Sequence, residues 1–344
     1  MPNQMIDLRI DTVTRPDDAM RRAMYAAEVG DDVFGEDPTV NRLQGIAAEL
    51  TGHEAALFMT SGTQSNLVGL LSHCQRGEEY IVGQQAHTFK YEAGGAAVLG
   101  SIQPQPIEFE PDGSLDLDKV DKAIKPDDIH FARTRLLALE NTVGGKTLPL
   151  DYIAEAIRFT REKSLAIHLD GARIGNAAVA LDIPVREITK GFDSVSICLS
   201  KGLGAPVGSL LCGSRALISA ALRWRKILGG GMRQSGVLAA AGIQALECNI
   251  HRLEEDHQNA RALAEGLAAV DTLNVIEQSI RTNMVFVELP DADVKPLTAF
   301  ARDAGILLGF GNPMRLVTHL DISARDITRV VAIVKDYYSR NKQT

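Results

Sequence analysis

Between Ala55 and Cys212 the chain repeats one pattern: a short apolar run, an amphipathic stretch of helical length, then another apolar run. The runs at 55–59, 80–82, 97–99, 136–140, 166–170, 195–199 and 209–212 read as buried strands. Helices are expected between them at 64–73, 117–124 and 151–163, the last with Ile153, Ala156, Ile157 and Thr160 turned inward. Strands that alternate with helices in this way require a mainly parallel sheet covered on both faces.

The flanks differ. Pro16 opens a short helix, and Asp37-Pro38 starts a firmer one that Gly52 ends, with the loop Val29 to Gly35 between them. After Cys212 come a basic helix over 218–227, a glycine break at 229–231 and a long helical region over 235–265 with expected bends. Strands at 283–289 and 314–318 and helices at 296–304 and 324–339 complete the chain, the last helix opened by a Ser323/Asp326 capping box. The fold class is therefore α/β, with a mainly parallel seven-stranded sheet. An N-terminal arm and large domain would occupy 1–250, and a small C-terminal α/β domain 251–344.

The 36 basic and 44 acidic residues leave a net charge of −8, which argues against nucleic acid or an anionic membrane as the main partner. Cys74, Cys198, Cys212 and Cys248 are scattered without ligand spacing, which fits reduced thiols in a cytoplasmic protein and predicts no metal. The segment MPNQMIDLRID lacks the pattern of an export signal, and no apolar run is long enough to span a bilayer.

Three constellations carry chemistry. Thr60-Ser61-Gly62-Thr63 follows a strand and opens an apolar helix, so backbone N–H groups and hydroxyls converge where a single phosphate could sit. No Walker loop or GxGxxG accompanies it, and an ordinary helix cap reads equally well from these residues alone. Asp170 ends the strand in HLDGAR and points into the crevice where open α/β sheets hold ligands, although an ion pair with Arg173 is the plainer alternative. Lys201 lies in a glycine-rich turn, the only charged residue between Asp193 and Arg215, and suits a covalent anchor as well as it suits a surface turn. The order of phosphate cradle, strand-end acid and strand-end lysine points to a pyridoxal 5'-phosphate enzyme.

DTVTRP (11–16), VGDDVFGEDPTVN (29–41), SGTQSN (61–66), LENT (139–142), HLDGARI (168–174), SICLSKGLGAPVGSLL (196–211), GGGMRQSG (229–236) and RLVTHL (315–320) together make the resemblance specific. The chain resembles the L-threonine aldolases of the low-specificity or L-allo type, within the fold type I pyridoxal-phosphate enzymes. That resemblance implies a lyase that cleaves β-hydroxy-α-amino acids to glycine and an aldehyde, with an aminotransferase or racemase as the rival within the fold. It implies Lys201 as the covalent anchor and Asp170 as partner of the pyridine nitrogen. Ser61, Gly62, Thr63 and Ser200 would lie about the cofactor, with Lys226 and Arg233 reaching the phosphate from a neighbouring subunit. His87 would stack on the ring, Arg173 and Arg315 would hold the substrate carboxylate, and Tyr91 and His130 would contact substrate, His130 near the β-hydroxyl. A homo-oligomer is implied, a dimer with shared sites that pairs into a tetramer.

The chain departs from the family pattern at Ile10, where a serine usually helps to bind the carboxylate, at VGGK (143–146) and at Gly175. The last two changes are expected to reshape the substrate pocket.

Overall fold

The strand and helix alternation builds a seven-stranded sheet in a computed structural model that describes residues 5–276 and 282–341. The strands are β1 (Ile6–Asp7), β2 (Ala55–Met59), β3 (Glu78–Gly83), β4 (Gln103–Ile107), β5 (Arg133–Glu140), β6 (Ala166–Gly171), β7 (Ser194–Cys198), β8 (Ser209–Gly213), β9 (Asn274–Val275), β10 (Met284–Glu288), β11 (Ile306–Leu307) and β12 (Met314–Val317). The large sheet runs β2-β8-β7-β6-β5-β3-β4. All of its neighbours pair in parallel except β8, which is antiparallel to both β7 and β2. The carboxyl ends of β2, β3, β5, β6 and β7 therefore share one edge. Ile167, Leu169, Val195 and Ile197 are buried, as strands covered on both faces require.

One expected strand is wrong. Residues 97–99 belong to the helix Gly95–Gly100, and the strand is β4 instead. Pro104 and Pro106 masked it, because proline removes ladder donors. β4 is an edge strand paired only with β3, with Pro104 opposite Tyr80 and Pro106 opposite Val82, so the missing N–H groups face no second neighbour. The long helical region is unbroken: Gly236–Ala268 is one helix of 33 residues. Gly242 lets it cross closely, since a Cβ there would meet Leu43 at 2.9 Å and Leu199 at 3.0 Å.

That helix enters two cores. Ala239, Ile243 and Leu253 pack with the large sheet, whereas Ala260, Leu263 and Leu267 pack with β10, β12 and the helix Ala324–Asn341. The N-terminal arm joins the second core, with Ile6 and Leu8 buried there and β1 pairing in parallel with β11. Predicted caps form: Asp37 accepts from Thr39 and Val40 ahead of the helix Pro38–Thr51, Gly52 ends it in the left-handed region, and Ser323 and Asp326 bond reciprocally.

Farther along, the arm is held by a buried ion pair. Arg225 donates to Asp32 at 2.8 Å and to the Phe58 carbonyl at 2.9 Å, and both charged residues are almost fully enclosed. Removing one partner of such a pair strands the other charge. Asp32→Ala should therefore destabilise the fold by about 3–5 kcal/mol in denaturant titration.

Candidate active site

The shared sheet edge collects the chemistry. Thr60 and Ser61 follow β2, His87 follows β3, Glu140 and Asp170 end β5 and β6 as register partners, and Ser200-Lys201 follow β7. Carboxyl strand ends are where an open α/β sheet leaves a crevice for ligands.

The helix Gly62–His73 begins at this edge with Ser61 as its cap, whose Oγ accepts from the Gln64 N–H at 3.1 Å. Ser61 and Thr63 are exposed and Gly62 half-exposed, and the first-turn N–H groups of Gly62 and Thr63 have no intrahelical partner. Ser209 Oγ is buried without a hydrogen-bond partner among the described residues, 3.6 Å from where a Gly62 Cβ would lie. A glycine at the helix start beside an unsatisfied hydroxyl fits a small anion such as phosphate.

Asp170 is 2% exposed and is met by two donors: Asn66 Nδ2 at 2.8 Å on Oδ2 and the Ala172 N–H at 3.1 Å on Oδ1. Asn66 gives its other amide hydrogen to Glu92 Oε1 at 2.9 Å, and Glu92 in turn meets His87 Nδ1 at 2.9 Å. The His87 backbone N–H donates to Glu140 Oε2 at 2.7 Å. Burial pushes the Glu92 carboxyl upward, and burial reinforced by the Asp170 charge lifts Glu140 to about 7. The hydrogen bond that His87 donates to Glu92 raises it above an ordinary imidazole. One atom from each of His87, Glu92 and Asp170 falls within 4.8 Å of the other two, but hydrogen bonds from Asn66 and His87 already knit the three together. Several carboxyl groups around one point suit a cationic ring nitrogen. With Lys201 on the same edge, the residues fit pyridoxal phosphate.

Lys201 is half-buried, and its carbonyl accepts from Thr14 Oγ1 at 2.9 Å and from the Gly204 N–H at 2.9 Å. These bonds pin the turn, while the Lys201 amine has no hydrogen-bond partner among the described residues. Ser200 is half-buried beside it, 3.5 Å from Cys198 Sγ.

The two arginines divide their tasks. Arg173 sends Nε and Nη2 to the carboxylate of Asp11 at 2.7 and 2.6 Å, a bidentate pair in which Asp11 is fully buried. Burial alone would raise the Asp11 carboxyl, but the charge and hydrogen bonds of Arg173 outweigh it and hold Asp11 at about 2. Arg315, on β12, has no ion-pair partner among the described residues; burial, then repulsion from Arg173, lowers its basicity. Arg315 is thus the cation left open for a carboxylate. Ile10 is half-buried and extended, immediately before Asp11, and offers no side-chain hydrogen bond. Tyr91 is exposed, with its ring centroid 5.8 Å from that of His87.

Other expected site residues lie elsewhere. His130 precedes Arg133, at the amino end of β5, and bonds only to Asp128, through Nδ1 at 2.6 Å and its N–H at 2.9 Å. The seven-residue rise from Arg133 to Glu140 separates the two ends of β5 by roughly 23 Å, so His130 is not brought to this chain's own Asp170. Arg233 pairs with Asp31 at 2.9 Å. Lys226 is exposed on the last turn of Arg215–Ile227 and packs toward Gly231. Gly175 packs against the long helix, where a Cβ would lie 3.1 Å from Leu253 Cδ1, and so serves close helix crossing. The VGGK segment is a tight turn with Val143 bridged to Lys146 and both glycines in the left-handed region.

Sequence reasoning missed Asn66, Glu92, Glu140 and Asp11 as individual residues. Only their membership in the quoted motifs signalled Asn66, Glu140 and Asp11, and nothing signalled Glu92.

Residues 7–290 match the beta-eliminating lyase family. The low specificity L-threonine aldolase of Escherichia coli (strain K12) is 59% identical over 336 residues, covering 98% of this chain and 100% of that protein. Among solved structures, a threonine aldolase of Leishmania major has a TM-score of 0.84 at 21% identity, covering 96% of this chain and 99% of that one. A structure of SPT with PLP has a TM-score of 0.75 at 17% identity, covering 96% of this chain and 87% of that one.

The Asp11–Arg173 pair makes a prediction with a defined sign. Because Asp11 is depressed from its usual 3.8 to about 2, its contribution is complete above the unfolded value and is lost as pH falls through the folded one. Asp11→Ala should cost about 3–5 kcal/mol near neutrality. In denaturant titrations the gap between wild type and variant should narrow as pH falls from 4 toward 2.

Proposed function

We propose, for a chain that belongs to the beta-eliminating lyase family and matches the low-specificity L-threonine aldolases over nearly its whole length, that the sheet-edge cluster cleaves L-threonine and L-allo-threonine. The protein is a pyridoxal-phosphate-dependent lyase that releases glycine and an aldehyde from β-hydroxy-α-amino acids, and the reaction is reversible. The observation that carries the residue assignment is the convergence of Lys201, Asp170 and the Ser61-Gly62-Thr63 helix start on one edge.

Lys201 would hold the cofactor covalently, Asp170 its ring nitrogen, and Ser61, Gly62, Thr63 and Ser200 its phosphate end. When bound, pyridoxal phosphate supplies the electron sink for breaking the Cα–Cβ bond. Arg315 takes the substrate carboxylate as the open guanidinium, while Arg173, held by Asp11, sets the shape of that side of the cleft. With Ile10 in place of a hydroxyl, the carboxylate loses one donor. His87, its Nδ1 committed to Glu92, keeps Nε2 to take the proton of the β-hydroxyl.

His130, remote from the cluster of its own chain, would serve only in a neighbouring subunit's site. An oligomer would cover exposed apolar side chains such as Tyr25, Phe34 and Ile227. In that assembly Lys226 and Arg233 would reach the partner's phosphate, with a dimer as the unit and a tetramer as the complete form. We divide the chain into an arm with large domain over 1–250 and a small domain over 251–344, and place the protein in the cytoplasm with its four free cysteines. No helix among the described residues is long and apolar enough to cross a membrane.

The purified protein should show a visible absorption band from bound cofactor and release acetaldehyde from L-threonine and L-allo-threonine but not from the D isomers. Lys201→Ala should abolish release; retained turnover would sink the anchor assignment. Ile10→Ser should lower KM for threonine by about ten-fold, the equivalent of one added charge-assisted hydrogen bond. Glu92 stabilises protonated His87, so the basic form appears only above the ordinary imidazole value. The acid limb of kcat/KM should therefore move to lower pH in Glu92→Gln, and an unmoved limb would remove His87 as the base.

A further inference from the structure

Behind Asp170 a line of buried polar side chains crosses the interior. Asn66 Oδ1 meets His168 Nε2 at 3.3 Å, His168 Nδ1 meets Ser194 Oγ at 2.7 Å, and Ser194 Oγ meets His73 Nε2 at 2.7 Å. His168 and Ser194 are fully enclosed, and His73 is the last residue of the helix Gly62–His73. None of them reaches the cleft, and nothing in the reaction requires an imidazole there. Apolar side chains would fill the same space without burying polar atoms.

The contacts allow one arrangement of protons. Asn66 must turn its amide hydrogens toward Glu92 and Asp170, because its oxygen would repel both carboxylates. Its Oδ1 is then an acceptor, so His168 donates from Nε2. Burial lowers His168 to about 3 and His73 to about 4, so both rings are neutral near pH 7 and carry one N–H each. His168 Nδ1 must accept from the Ser194 hydroxyl, and Ser194 Oγ must accept from His73. Every donor in the line points toward Asp170. Gly69 clears the space for it, since a Cβ there would lie 3.0 Å from His168 Cε1.

We propose that the line His73–Ser194–His168–Asn66 is a directed hydrogen-bond relay, in which His168 and Asn66 are positioning residues that orient and polarise the Asp170 carboxylate toward the ring nitrogen of the cofactor. Successive bonds of one direction strengthen each other in a low-dielectric interior. The effect of His168 reaches Asp170 through Asn66, whose other amide hydrogen goes to Glu92, and it leaves Lys201 and the phosphate cradle untouched. The inference rests on the reading of Asp170 as the partner of that nitrogen.

The test uses the full-length protein, freed of cofactor, and two ligands. One is pyridoxal phosphate; the other is its carbocyclic analogue with CH in place of the ring nitrogen. Quenching of the single tryptophan, Trp224, reports each dissociation constant. Wild type should prefer pyridoxal phosphate by about ten- to a hundred-fold, the scale of a charge-assisted bond. His168→Phe should reduce that preference about ten-fold with affinity for the analogue unchanged, His168→Gln should restore most of it, and Asn66→Leu should lower the preference at least as much. Ser194→Ala, a smaller change farther from the site, should act in the same direction and stands in should the larger variants fail to fold. Equal weakening of both ligands, or an unchanged preference, overturns the relay. A wild type without preference overturns the role of Asp170 itself.

Discussion

Asp170 sits nearly enclosed at the end of a central strand, and a carboxylate in that position is strongly disfavoured unless donors or a cation meet it. The protein meets part of the demand with the Asn66 amide and the Ala172 N–H, and its open face is left for a ligand. Much of the neighbourhood follows from that requirement. Asn66 has to lie on the first helix after β2, where its amide also reaches Glu92, and Glu92 then orients His87. One helix thus carries both the Ser61-capped start and the amide that meets Asp170.

A second charge balance involves the two arginines. Asp11 cancels Arg173, so a cluster with two guanidinium groups carries one uncompensated positive charge, on Arg315. One carboxylate matches it. The arrangement depends on chain connectivity, because Asp11 lies just beyond β1, which pairs with the small unit, while Arg173 follows the large sheet. The arm therefore contributes to the site as well as to stability, and the substitution at Ile10 falls at the point where it enters.

The histidines show how position decides role. His87, half-exposed beside a carboxylate, is raised, whereas His168 and His73, buried with neutral partners, are lowered. His130, in an exposed loop at the far end of β5, has no part in the cluster.

The strand and helix periodicities, the caps at Asp37, Gly52 and Ser323, and the strand-end positions of Asp170 and Lys201 were legible in the sequence. Each depends on residues a few places apart, through the fixed periods of the two backbone geometries. Prolines hid β4, because whether a missing N–H matters depends on whether a neighbour strand lies there. The electrostatic partners were illegible for a similar reason. Asn66 and Asp170 are 104 residues apart, and Asp11 and Arg173 are 162 apart. The sequence by itself determined an α/β sheet with a cradle, an acid and a lysine on one edge. Only the tertiary structure decided which arginine is open, which histidine can act and what stands behind Asp170, because the energy of a buried charge is set by groups that the chain brings back from far away.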